Sequence, residues 1–283
     1  MTGGEIKHRN PRQQLTEAGL QAKKSFGQNF LTDPNICAKI AGLAGGKCVI
    51  EIGAGLGALT APLLERTQRL IAVERDRDLV PCLQERFALQ VEQGKLEVFE
   101  ADAKTFDYEA HFRTAPEPRV LTGNLPYQIT GPLLERAVAL APYIERAVFM
   151  VQLEVADRVS AEPGGKTYGA LSVFVQAAFE ARRAFIVKRT AFHPQPNVDS
   201  AVIELISRRP ALAEETPLFR ALVKGAFAAR RKTLRNAWKA AAREHLADAA
   251  AAAEIDLDRR GETLSVHDFA RMERELLARG VSG

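Results

Sequence analysis

Short apolar runs recur along the first half of the chain, separated by stretches whose apolar positions repeat at helical spacing. The runs Lys47 to Ile52, Arg69 to Val73, Leu96 to Phe99, Arg119 to Thr122 and Ala147 to Val151 carry Val, Ile and Phe and read as buried strands. Between them, Leu59 to Arg66, Asp78 to Phe87 and Pro132 to Leu140 read as helices. This alternation predicts an α/β fold: a doubly wound, mostly parallel, Rossmann-like sheet, with ligand groups at the carboxyl ends of its strands.

After Val151 the pattern changes. Two helical stretches, Leu153 to Ser160 and Tyr168 to Phe179, precede two strand-like segments, Ala184 to Lys188 and Ser200 to Ile206. Their connection is Pro-rich and has no room for a crossover helix, so they are expected to form an antiparallel pair at the sheet edge. From Ala211 onward the pattern is helical, including an Ala-rich stretch from Ala240 to Ala253. The segment SRRPALA, Ser207 to Ala213, is read as a join. A catalytic domain with a basic N-terminal arm is expected over residues 1–210, and a small all-helical domain over 211–283. There is no internal repeat.

The chain's 283 residues, 46% of them hydrophobic, suffice for one sizeable core and a second smaller unit. A net charge of +4 permits a polyanionic partner without requiring one; the distribution of charge is more informative. Between Gly225 and Arg243 stand six basic residues, Arg230, Arg231, Lys232, Arg235, Lys239 and Arg243, and no acid. On a continuous helix Arg231, Arg235 and Lys239 share one face and could follow phosphates, with Leu234 turned inward. A charge run is also an ordinary way to solvate a helix, but a run without acids is an unusual one. Lys23 and Lys24 in the N-terminal arm are the second candidates for phosphate contact. Cys37, Cys48 and Cys82 have neither metal-ligand spacing nor an even count, and are expected to be reduced core residues, with no metal bound. No apolar run reaches the length of a membrane span, and the polar start lacks a signal-peptide core, so a cytoplasmic protein without membrane association is expected.

Val49 to Thr60, VIEIGAGLGALT, ends a buried strand, turns on glycines and enters a helix. Glycine there lets a ligand approach the turn closely. The pattern is weak alone, because it also fits dinucleotide sites and plain structural turns. Glu74 ends the next strand, roughly 20 residues on, where a carboxylate can accept hydrogen bonds from ribose hydroxyls. Asp102 follows the third strand in a similar place. A single strand-end acid is often only solvated, but two in register are harder to attribute to accident.

A nicotinamide oxidoreductase and a methyltransferase share these features, and the fourth strand separates them. Beyond it stand Asn124, Leu125, Pro126 and Tyr127. An exocyclic adenine amine is a poor nucleophile because its lone pair is delocalised into the ring. Two acceptors, the Asn124 side-chain oxygen and a backbone carbonyl at Leu125 or Pro126, could hold its hydrogens. Proline stiffens the turn without adding a donor, and Tyr127 offers a face on which an extruded base can stack. An Asn-Pro turn packed by a tyrosine is the structural alternative; its place in the strand series favours chemistry.

These residues resemble the ribosomal RNA adenine N6-methyltransferases. The resemblance covers nearly the whole chain: Lys24 to Leu31 (KSFGQNFL), Glu51 to Gly57, Glu74, Asp102, Asn124 to Tyr127, and Phe192 to Ser200 (FHPQPNVDS). It implies S-adenosylmethionine as cofactor, with Gln28, Asn29, Leu31, Gly53, Gly55, Glu74, Asp102 and Asn124 around it. Gly53 would approach the methionine portion, Glu74 the ribose and Asp102 the cofactor adenine, while Asn124 would serve both cofactor and target amine. Phe192 would form the second wall of the target-base pocket. His193, flanked by prolines and without a partnered Cys or second His, reads as structural. Ala54, Gln128 and Gly131 depart from the commonest family form and bear on which adenine is chosen.

The Phe192 to Ser200 segment and the basic stretch Phe227 to Asn236 look more like the small-subunit enzymes than the related large-subunit resistance enzymes. That resemblance implies dimethylation of two adjacent adenines in the 3′-terminal hairpin loop of small-subunit RNA, by a monomer acting on a pre-assembled small subunit. The alternatives are a large-subunit methyltransferase and an RNA-binding assembly or transcription cofactor on the same fold.

Overall fold

The computed structural model describes residues 9–228 and 231–282. Its strands are β1 (Phe30–Leu31), β2 (Gly46–Ile52), β3 (Thr67–Glu74), β4 (Leu96–Glu100), β5 (Arg119–Asn124), β6 (Arg146–Gln152), β7 (Phe179–Val187), β8 (Phe192–His193) and β9 (Ser200–Ser207). One sheet has the order β4-β3-β2-β5-β6-β9-β7, and β1 pairs with β8 in a separate ribbon. β2 lies parallel between β3 and β5, β4 extends β3, and β6 extends β5. β9 is antiparallel to β6, from Arg146↔Ile206 to Gln152↔Ser200. The fold is therefore the expected mostly parallel sheet with antiparallel edge strands.

The central strands read as unbroken apolar runs because both of their faces are covered. Val49 and Ile50, Leu70 to Val73, Val120 and Leu121, and Ala147 to Val151 are all buried. From β2 the chain winds outward through β3 and β4, then resumes on the other side with β5 and β6. That reversal opens a crevice beyond the carboxyl ends of β2 and β5.

Two features were not visible in the pattern. The helix Pro34–Leu43 starts on an Asp33 cap, whose side chain accepts from the Asn35 N–H at 2.8 Å, with Pro34 in its first turn. The β1–β8 ribbon pairs Phe30 with His193 and Leu31 with Phe192, bringing the two most family-specific segments together.

The chain forms two compact units, Met1–Ala156 with Arg182–Ser207, and Asp157–Ala181 with Arg208–Gly283. A single division near residue 210 therefore does not describe it; the chain enters the helical unit twice. The reason is the helix Ala170–Ala178, whose Val173, Phe174 and Ala177 join a core with Leu218, Phe219, Leu222, Trp238 and Phe269.

The basic stretch is not one helix either. Helices span Pro217–Ala228 and Leu234–Ala242, so Arg231 precedes the helix that carries Arg235 and Lys239. Two early N–H groups of that second helix turn elsewhere: Leu234 donates to the Arg259 carbonyl and Arg235 to that of Leu257, both at 2.9 Å. Leu234 is fully buried, as expected, whereas Arg230 lies outside the described residues. The Ala-rich stretch is also interrupted, by a 3-10 turn at Arg243–His245 before the helix Leu246–Ala252.

Cys37 and Cys48 are buried, and burial pushes the Cys37 thiol up to about 12. Cys82 is only half-buried, against the expectation of a core residue. Among the described residues no helix is long and apolar enough to cross a membrane.

Candidate cofactor and target-base site

The loop leaving β2 turns on Gly53 and Gly55, whose φ angles of +70° and +57° lie in the left-handed region that favours glycine. A Cβ at Gly55 would stand 3.1 Å from the Phe30 ring, so glycine lets the Lys24–Leu31 segment close against the loop. Glu74, at the end of β3, is 7% exposed. Its Oε2 accepts from the Gly55 N–H and its Oε1 from the Asp76 N–H, both at 2.8 Å. Burial raises its pKa; the N–H groups of Asp76, Gly55 and Arg75 oppose the rise, and the Asp76 charge adds to it. With three N–H donors on a group that has about four lone-pair sites, the carboxylate keeps acceptor capacity for a further hydroxyl.

Asp102 follows β4. Its Oδ1 accepts from the Lys104 N–H at 2.9 Å, and Arg75 Nη1 lies 3.7 Å from Oδ2. At the end of β5, Asn124 Nδ2 donates to the Asn29 carbonyl at 2.9 Å. That bond sets the amide's orientation and leaves Oδ1 as the acceptor. The Pro126 carbonyl accepts from the Ile129 N–H and the Thr130 hydroxyl, each at 3.1 Å, which uses both of its lone pairs. Of the two carbonyls considered for the target amine, Leu125 is therefore the better placed to accept. Tyr127 is half-buried, and its hydroxyl lies 2.9 Å from Ser200 Oγ, which fixes the ring.

Every residue expected around the cofactor, together with Asn124 to Tyr127, lines one cleft. Phe192 does not line it. Paired with Leu31 across the β1–β8 ribbon, it is 5% exposed and packs in a core cluster with Leu31 and Val202. Lys23 also departs from expectation. Its ammonium donates to Asp76 Oδ1 and to Asp78 Oδ2 at 2.6 Å, so it is not a free phosphate contact. Lys24, Arg231, Lys232 and Lys239 are exposed, whereas Arg235 is ion-paired with Asp258 at 3.3 Å.

Two buried carboxylates near the cleft had no role assigned from sequence. Glu51, within β2, is 2% exposed, lines the cleft and accepts from the Thr60 hydroxyl at 2.6 Å. Burial is the main cause that pushes its pKa up to about 7; the Thr60 bond opposes this, and the Glu74 charge adds to it. An acid inside an apolar strand run was the available signal. Asp76 is the other, as buried as Glu51, and no local pattern marks it.

A sheet of this order, with a glycine turn, a buried acid and an Asn-Leu-Pro-Tyr turn at the ends of neighbouring strands around one cleft, defines an S-adenosylmethionine-dependent methyltransferase. The model of the ribosomal RNA adenine dimethylase family matches residues 19–277, and the chain belongs to that family. It is 44% identical over 282 residues to a ribosomal RNA small subunit methyltransferase A of Anaeromyxobacter sp. (strain K), covering 94% of this chain and 98% of that protein. A protein of the same description from Geobacter metallireducens is 41% identical over 278 residues, covering 93% of this chain and 98% of the relative. The crystal structure of a Plasmodium falciparum dimethyladenosine transferase matches with a TM-score of 0.75 at 25% identity, over 89% of this chain and 98% of that one. The 23S rRNA methyltransferase ErmE matches with a TM-score of 0.67 at 27% identity, over 88% of this chain and 99% of its own.

Proposed function

We propose that this enzyme dimethylates the N6 amines of two adjacent adenines in the 3′-terminal hairpin loop of small-subunit ribosomal RNA. On this reading it acts as a monomer, in the cytoplasm, on RNA already assembled into a small ribosomal subunit. The observation that carries the chemistry is the Asn124 amide, whose nitrogen is held by the Asn29 carbonyl so that its oxygen is the acceptor. The small-subunit reading is supported by relatives that carry that description over nearly their whole length.

The residues present fit S-adenosylmethionine. The glycine turn keeps backbone close to the cleft, and Glu74 is a buried carboxylate with acceptor capacity to spare. Gly53, Glu74 and Asp102 would hold the methionine, ribose and adenine portions, with Gln28, Asn29, Leu31, Gly55 and Asn124 completing the walls. When bound, the cofactor supplies an electrophilic methyl group. Asn124 Oδ1 and the Leu125 carbonyl accept the two amino hydrogens of the target base, which turns the nitrogen lone pair out of conjugation. Tyr127 stacks on the base, and the Asn124 bond strengthens as the nitrogen becomes cationic. The proton leaves afterwards, so no strong base is needed. Phe192 would face the base only after leaving the packing it has here. Lys24, Arg231, Lys232 and Lys239 are the proposed phosphate contacts, with Arg235 contributing once released from Asp258.

The test is Asn124→Ala. Single-turnover methylation should fall by a factor of about 100 or more, in line with loss of a transition-state hydrogen bond, while RNA affinity changes little. Methylation at the parental rate would rule the mechanism out.

A further inference from the structure

The segment Lys23 to Leu31 runs along one wall of the cleft and is tied down at both ends. At its far end β1 pairs with β8, and between the ends the Asn29 carbonyl holds Asn124. At its near end four side chains meet. Lys23 donates to Asp76 and Asp78, Gln28 Nε2 donates to Asp76 Oδ2 at 2.7 Å, and Gln28 Oε1 accepts from the Lys23 N–H at 2.8 Å. The Asp76 side chain is 2% exposed, whereas that of Lys23 is 35% exposed. Phe26, which lines the cleft, has the Lys23 ammonium 5.5 Å and the Arg75 guanidinium 5.3 Å from its ring centre. The Asp76 N–H donates to the Glu74 carboxylate, which also holds the Gly55 N–H of the glycine turn.

We infer that Lys23, Gln28 and Asp76 form a clasp that fastens the Lys23–Leu31 segment over the cofactor cleft and aims the Glu74 carboxylate, so that they govern cofactor affinity as positioning residues. This rests on the proposed role of Glu74 as the ribose ligand. The physics has two parts. The buried Asp76 carboxylate is held by Lys23, by Gln28 and by the Asp78 N–H at 3.1 Å; without Lys23, its cationic donor, it would relax toward solvent and loosen both the segment and the N–H aimed at Glu74. Lys23 also offsets the Asp76 charge that otherwise acts on Glu74, and its donation lowers the Asp76 pKa. Lys23 thus belongs to the cofactor site, although its sequence context marks it for RNA.

The experiment measures S-adenosylhomocysteine affinity by calorimetry, cofactor KM and kcat, and RNA affinity across salt concentrations for Lys23→Met, Lys23→Arg and Gln28→Ala. Lys23→Met should weaken S-adenosylhomocysteine about 10-fold, roughly the loss of one charge-assisted hydrogen bond, and raise cofactor KM far more than it lowers kcat. Lys23→Arg should restore most of that affinity, Gln28→Ala should weaken it in the same direction, and the RNA salt slope should match the parent. Thermal unfolding without cofactor confirms that each variant is folded. If Lys23→Met keeps parental affinity for S-adenosylhomocysteine, or if its defect lies in RNA affinity and salt slope, the clasp is overturned. Glu74→Gln serves as the control. If that variant also binds S-adenosylhomocysteine like the parent, the ribose reading of Glu74 fails, a result distinct from failure of the clasp.

Discussion

Glu51, within β2, and Glu74, at the end of the adjacent β3, are both buried, yet their surroundings treat them differently. Glu74 has backbone N–H donors on both oxygens, whereas Glu51 has the Thr60 hydroxyl. With burial pushing it from 4.5 up to about 7, Glu51 binds its proton more tightly in the folded state than in the unfolded one. Its contribution to stability is therefore fully present below the unfolded value, falls as pH rises from about 4.5 to about 7, and is level above that. Glu51→Gln removes this titration. Urea unfolding at several pH values should show the parent losing stability relative to the variant across that window, and a constant difference between the two would contradict the assignment. The buried Asp76 carries the opposite shift, because Lys23 and Gln28 donate to its carboxylate.

At the scale of elements, the buried strands and the glycine turn were legible from sequence because each imposes a composition on a few consecutive residues. The β1–β8 ribbon was not, since two-residue strands have no period to detect. The Lys23–Asp76 contact joins residues 53 positions apart, and nothing local distinguishes such a lysine from one that meets phosphate. The basic stretch misled for a related reason. Its residues favour helix, but the N–H groups of Leu234 and Arg235 bond to the segment at Leu257 to Arg259, which starts a new helix there. That helix is anchored by Leu234 and by Trp238, whose indole N–H donates to the Leu222 carbonyl at 2.8 Å. Leu234→Ala should cost about 2 to 5 kcal/mol in denaturant unfolding of the helical unit, the usual penalty for truncating a fully buried leucine. A loss below about 0.5 kcal/mol would show that the helix is held without it.

For the whole molecule, the excess of positive charge is small, so RNA affinity must come from where the charges stand. Arg235 is partly neutralised by Asp258, and Lys23 by two carboxylates. Neutralising Arg231 and Lys232 together should therefore flatten the plot of log RNA affinity against log salt by about 1 to 2 units, with cofactor affinity unchanged. A parental slope would place the phosphate contacts elsewhere, with Lys24 the first alternative. What the enzyme does is defined by which base it modifies and how far. The direct measurement is mass spectrometry of nuclease fragments of the RNA from small-subunit particles, and in parallel from large-subunit particles, lacking the modification, after incubation with the enzyme and S-adenosylmethionine. The expected product is N6,N6-dimethyladenosine at two adjacent adenines of the 3′-terminal hairpin loop, formed far more slowly with Asn124→Ala; methylation confined to the large-subunit particles, or to any atom other than adenine N6, would contradict it.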